Sequence, residues 1–207
     1  MGALPCGPEA VLLEPDDPQQ LAGLVAALSG GAVPGVAEVV PAARTVLVRF
    51  GSPRGLAAAR PALEQLLATT PAIAPVPDPA RTIEIATIYD GPDLTDVARL
   101  TGLGVAGVVA AHTGKPWRVA FGGFAPGFAY LTDGDPRLQV PRRAEPRPSV
   151  PAGSVGLAGE FSGIYPRSSP GGWQLIGRTT AALWDASREP PALLSPGLWV
   201  QFRTVKG

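Results

Sequence analysis

A chain of 207 residues with 45% hydrophobic and 16% charged side chains can fill a core, which excludes wholesale disorder. Seventeen basic residues balance seventeen acidic ones, so neither a nucleic acid nor an anionic membrane is expected as a partner. A single cysteine, Cys6, excludes an internal disulfide and a thiolate zinc cluster.

The first ten residues lack a basic segment followed by an unbroken apolar run, so no signal peptide is expected. Residues 10–14 (AVLLE) read as a short apolar strand. Residues 18–28 place Leu21, Leu24, Val25 and Leu28 on one helical face, with Asp17 as N-cap, Pro18 in the first turn and Gly30-Gly31 as the stop. The apolar stretch 21–37 is broken by Ser29-Gly30-Gly31 and Pro34. A bilayer needs about 20 unbroken apolar residues, so a cytoplasmic protein is expected. Residues 36–40 and 45–50 read as two strands about a turn near Pro41, and a second helix is expected from Pro53 or Gly55 to Leu67. This β-α-β-β-α order predicts an N-terminal α/β domain over residues 1–75, with helices on one face of a small sheet. Four prolines in residues 71–80 predict a stiff linker.

The second domain is expected over residues 76–207. Residues 81–89 alternate like a strand, and 93–100 and 105–111 read as two short helices, the first capped by Asp93. From Trp117 onward short apolar runs (RVAFGGF, SVGLAG, WQLIGRT, AALWD, LWVQF) alternate with Gly and Pro turns, which predicts a compact β-barrel or sandwich. The fold class is therefore α+β.

Chemistry-bearing residues concentrate between Gly122 and Arg178. The strings GGFAPGFAYL, PRRAEPRPSVPAGSVG and YPRSSPGGWQLIGRT are rich in Gly and Pro, which permit close backbone approach and stiffen loops. Such loops can present backbone N–H groups to a ligand, although ordinary turns use the same residues. From Arg137 to Arg178 six arginines face only Glu145 and Glu160, a local excess of four positive charges. Planar guanidinium forks suit carboxylate or phosphate, and a solvated basic face is the alternative. His112, the only histidine, closes a predicted helix and is either an acid/base group or a helix C-terminal residue. Gly102-Leu-Gly104-Val-Ala-Gly107 has dinucleotide-loop spacing, but a helix rather than a strand precedes it, so Gly102 reads as a helix C-cap. No phosphate-binding GxxxxGK[ST] loop exists, because Pro116 follows Lys115. Ala152-Gly153-Ser154-Val155-Gly156 is a loose nucleophile-elbow match with only His112 as base. Without clustered acids or further histidines, no transition-metal site is expected.

The string HTGKPWRVAFGGFAPGFAYL, then PRR, VPAGSVG, YPRSSPGGWQLIGRT and PGLWVQF, with IYDGPDLTDVA upstream, resembles the allophanate hydrolase subunit 1 family, also called the 5-oxoprolinase B-subunit family. A sporulation-kinase inhibitor belongs to the same family. The resemblance implies a cyclophilin-like β-barrel for residues 76–207. It implies the B subunit of an ATP-dependent 5-oxoprolinase, inactive without its partners, the C and A subunits, which opens 5-oxoproline to L-glutamate. ATP with magnesium, shared with the C subunit, would phosphorylate the ring amide. Carried over residue by residue, His112 becomes an acid/base or ligand-orienting group. Phe124, Pro126, Gly127, Phe128 and Tyr130 become substrate-pocket walls. Arg142, Arg143 and Arg147 become anion binders, and Pro151, Ala152, Gly153 and Ser154 a backbone-donor loop. Ser169, Pro170, Gly171, Gly172 and Trp173 would line the site or the interface with the C subunit. The family's Gly-Asp before the first strand is replaced here by Gly7-Pro8-Glu9. Three other readings stand beside this one: a module that docks on a histidine kinase, half of a urea- or allophanate-type carboxyltransferase, and a stand-alone hydrolase.

Overall fold

A computed structural model describes residues 2–73 and 75–207. Ala74, inside the stretch read as a linker, lies outside the described residues, as does Met1. The chain divides into two compact units, Met1–Val76 and Pro77–Gly207.

In the first unit four strands form an antiparallel sheet: β1 (Gly2–Pro5), β2 (Ala10–Glu14), β3 (Val36–Pro41) and β4 (Val46–Phe50), in the order β1-β2-β4-β3. Alternation puts Val11 and Leu13 of β2 and Val46, Val48 and Phe50 of β4 on one buried face. Helices α1 (Gln20–Ser29) and α2 (Pro53–Thr69) cover that face. Helix α2 starts where Ser52 Oγ accepts the Gly55 N–H, and Leu56, Ala59, Leu63 and Leu67 recur along its inner side. Helix α1 begins later than the sequence suggested. Asp17 Oδ1 accepts the Gln19 N–H in a preceding turn instead of capping the helix, and Gln19 takes the N-cap position. Strand β1 carried no sequence signal: it is four residues long, ends in proline and occupies an edge of the sheet.

The second unit holds seven strands in the order β12-β9-β10-β7-β6-β13-β5. These are β5 (Thr82–Thr87), β6 (Trp117–Gly122), β7 (Ala129–Thr132), β9 (Ser154–Ala158), β10 (Phe161–Ile164), β12 (Gln174–Arg178) and β13 (Trp199–Thr204). A separate two-stranded antiparallel ribbon pairs β8 (Arg147–Val150) with β11 (Ser169–Gly171). Only β5 and β13 run parallel; every other pair is antiparallel. The two sheet edges meet where Ile88 and Arg178 exchange backbone hydrogen bonds of 2.9 and 2.8 Å, so the sheet is a nearly closed barrel. This is the α+β architecture that the sequence predicted.

Two helices, α3 (Leu94–Thr101) and α4 (Gly104–Thr113), bury Leu94, Val97, Val108 and Ala111 against the barrel. Gly102 ends α3 with φ of 70°, the left-handed cap that its residue type suggested. The last carbonyls of α4 are satisfied from the barrel: Trp117 Nε1 donates to His112 O and Gln201 Nε2 to Thr113 O. The stretch AALWD, read as a strand, makes only a single bridge, Trp184 to Ala192. Strand β10 was not foreseen, because half of FSGI is serine and glycine. Among the described residues no single helix is long and apolar enough to cross a membrane.

Candidate functional site

Five aromatic rings gather on one side of the second unit. Phe128, buried between turn and sheet, stands edge-on to Phe124, Tyr130, Tyr165 and Trp173, with centroids 5.1–5.4 Å apart. Tyr130 also stacks on Phe121 at 4.4 Å and meets Trp173 at 5.6 Å. Phe124 contrasts with its neighbours. It is 58% exposed and holds φ at 67°, a left-handed backbone that side chains rarely adopt. Its turn is fixed by Gly127, where a Cβ would lie 2.9 Å from Trp184 Cβ. Phe124, Pro126 and half-buried Tyr130 can therefore meet a ligand. Phe128, expected as a pocket wall, and Trp173, expected to line the site or the interface with the C subunit, are instead the buried support beneath them.

Beside this shelf lies a charged cluster built on Asp93. The residue occupies the N-cap position of α3 as the sequence suggested, but its side chain does not cap the helix. The chain at 91–93 runs against β12: Asp93 N–H donates to Leu175 O, and Leu175 N–H donates to Asp93 Oδ2. Gly91 permits this approach, since a Cβ there would overlap the backbone of Ile176. Asp93 Oδ1 then accepts from Arg143 Nη1 at 2.9 Å and from Arg147 Nη2 at 2.7 Å. Burial pushes the Asp93 carboxyl up. The hydrogen bonds from Arg147 and the Leu175 N–H, with the charges of Arg147 and Arg143, outweigh burial and hold it below the usual carboxylate range.

Both arginines are also fixed through their backbones to the β8/β11 ribbon. Arg143 N–H donates to Gly172 O at 2.8 Å, and Arg147 pairs with Gly171. A side chain on Gly171 would overlap the Tyr165 hydroxyl, so the ribbon that holds the arginines packs directly against the aromatic shelf. Burial raises the Tyr165 hydroxyl above its ordinary range, so it stays a neutral phenol at physiological pH. Ser169 and Pro170 lie on the outer part of β11. Arg142 is exposed and, among the described residues, makes no ion pair.

Two expectations are corrected by this geometry. The local charge excess is smaller than the sequence count, because acids from outside that segment enter it. Asp90 pairs with Arg178, Asp93 with Arg143 and Arg147, and Asp135 with Arg137. The 151–154 loop is not a set of free donors: Gly153 N–H bonds to Tyr165 O at 2.7 Å and Ser154 N–H to Pro151 O at 3.3 Å, while Pro151 has no N–H to offer. Ala152 is exposed at the turn.

His112 departs furthest from its expected acid/base role. It is fully buried, Nδ1 lies 2.7 Å from Tyr89 Oη, Nε2 lies 2.8 Å from Ser162 Oγ, and its ring packs 4.2 Å from Phe202. Burial lowers its pKa to about 3, so the ring is neutral near pH 7. Ser162 faces His112 across β10, whereas the adjacent Gly163 faces Phe128 and Trp173. The strand thus separates His112 from the arginines and the aromatic shelf. Asp93 and Tyr165 belong to the site and were not in the expected set. Asp93 read only as a cap, and its partners lie fifty and more residues downstream.

The match to the carboxyltransferase domain, subdomain C and D, runs over residues 1–194. The 5-oxoprolinase B subunit of Escherichia coli O157:H7 is 43% identical over 173 residues, spanning 82% of this chain and 78% of that protein. The chain belongs to the 5-oxoprolinase B-subunit family. The crystal structure of TTHA0988, 38% identical, superposes on 96% of this chain with a TM-score of 0.75, and the chain spans 40% of that larger protein. Kluyveromyces lactis urea carboxylase, 18% identical, shares the fold over 96% of this chain and 21% of its own, with a TM-score of 0.69. The family resemblance read from the motifs is thereby established. The Asp93–arginine cluster and the aromatic shelf lie within the part of this 5-oxoprolinase B-subunit family member that the domain match covers.

Proposed function

We propose that this chain is the B subunit of an ATP-dependent 5-oxoprolinase and supplies half of a site completed by the C subunit, with the A subunit releasing L-glutamate. The observation that carries the reading is the juxtaposition of Arg143 and Arg147, tied to Asp93, with an exposed aromatic shelf. 5-Oxoproline is a flat five-membered ring amide bearing one carboxylate. A shelf of ring faces suits the lactam, and guanidinium groups suit the carboxylate.

An amide is a poor electrophile because resonance stabilises it. ATP with magnesium would supply the phosphoryl group that makes the ring carbonyl reactive. Exposed Arg142 beside the shelf suits a phosphate oxygen. Among the described residues no group of three His, Cys, Asp or Glu is placed to hold a metal ion, and magnesium bound through phosphate oxygens needs only one or two carboxylates. The part of this chain is to bind, orient and exclude water: Phe124 and Tyr130 cover one ring face, and the arginines fix the carboxylate. Fixing the substrate at two points turns binding energy into alignment of the amide oxygen.

The test is to mix the purified A, B and C subunits with ATP and 5-oxoproline and to measure glutamate. Formation only with all three supports the reading. An assembled mixture that yields none, or a requirement for a biotinylated carrier, contradicts it; the latter outcome favours the carboxyltransferase reading that the domain match suggests.

A further inference from the structure

Asp93 ties together two arginines fifty and fifty-four residues away in the chain. Each arginine spends a single nitrogen on the same oxygen, Oδ1, because the Leu175 N–H already occupies Oδ2. Neither forms the two-bond fork that arginine and carboxylate frequently make. Arg143 Nε and Arg147 Nη1 are buried and bond to no acceptor among the described residues. A buried donor without an acceptor is costly, so two in one cluster point to an acceptor from outside the chain. The other atoms of the Arg143 and Arg147 side chains reach solvent, the side chains being 34% and 22% exposed, while Asp93 is 2% exposed.

We infer that Asp93 is a positioning residue that presents Arg143 and Arg147 as a fork for one carboxylate, that of the ring substrate. The inference rests on the proposed function. Two positive charges against one negative leave a single positive charge, which one carboxylate neutralises. Nucleotide phosphates carry several charges and call for more cation than the fork retains once Asp93 has taken its share. Asp93 fixes where the guanidinium groups sit, and the β8/β11 ribbon holds their backbones, so the fork is set before substrate arrives.

The experiment is calorimetric titration of the assembled enzyme with 5-oxoproline, with 2-pyrrolidinone (the same ring without the carboxylate) and with ATP. Wild-type enzyme should prefer 5-oxoproline to 2-pyrrolidinone by at least about tenfold, the value of one charge-assisted contact. Asp93→Asn should cut that preference below about threefold and leave ATP affinity unchanged. Arg147→Lys keeps the charge and loses the planar fork; it should give the same loss, and it serves if Asp93→Asn fails to fold. An undiminished preference in the folded variants overturns the inference while wild-type glutamate formation keeps the function intact. A loss that falls on ATP instead assigns the fork to phosphate and also overturns it. Wild-type enzyme that neither turns over nor binds 5-oxoproline removes both the function and the inference.

Discussion

Two side chains show how the same chemistry is used in opposite ways. His112 is buried with both ring nitrogens engaged, and its pKa is lowered to about 3. A group whose folded pKa lies below its unfolded value of about 6.5 contributes stability that is fully present above pH 6.5 and is lost as pH falls toward 3. Each pH unit in that window costs up to about 1.4 kcal/mol. Urea unfolding of wild type and His112→Gln from pH 7 to pH 4 should therefore show the steeper loss in wild type; equal slopes would mean that the ring is not held neutral. Asp93, also lowered, contributes in the same direction but only as pH falls below about 3.9. Phe124 is the second case. Its left-handed backbone costs about 1 kcal/mol, and its side chain is mostly exposed. Phe124→Gly should leave the unfolding midpoint unchanged or raise it, while lowering kcat/KM for 5-oxoproline about tenfold through loss of ring contact. Lower stability with full activity would make Phe124 a packing residue.

At the level of elements, the site depends on a short stretch of backbone more than on any helix. Residues 91–93 lie against β12 and carry Asp93 to Leu175. Gly91→Ala would push this stretch off β12, with a cost of about 1–3 kcal/mol for overpacking. The displaced Asp93 would then release Arg143 and Arg147, so KM for 5-oxoproline should rise more than kcat falls. Thermal unfolding and steady-state kinetics on one preparation check both effects; an unchanged KM in a destabilised variant would separate this backbone from the arginines. The element boundaries themselves were largely legible. Gly102 at the end of α3 marked a helix end by residue type, and Pro53 was one of the two starts expected for α2. Asp17 misled, because aspartate forms a local turn as readily as a cap. Strand β10 and the false strand AALWD show the other limit. Pairing in a barrel is decided by partners far along the chain, so FSGI forms a strand and AALWD does not.

At the scale of the whole molecule, the α+β class and the barrel of the second unit followed from the change from helical spacing to short apolar runs. The site was half legible. Its arginines and aromatics stood out as a Gly/Pro-rich basic segment, but the acid that organises them lay in a different segment and read as a helix cap. His112, conspicuous as the only histidine, belongs to the barrel interior. Charge counting failed for a related reason: ion pairs join residues far apart in the chain, as in Asp90 with Arg178. An arginine fork and an aromatic shelf working as half of a composite site are the centre of the proposed function. The most direct measurement is glutamate formation by the assembled three-subunit enzyme carrying Arg147→Met, alongside its co-purification with the C subunit. Loss of one charge-assisted contact of about 1.5–3 kcal/mol should lower kcat/KM for 5-oxoproline roughly ten- to a hundred-fold with assembly intact. Wild-type turnover from a correctly assembled Arg147→Met enzyme would contradict it.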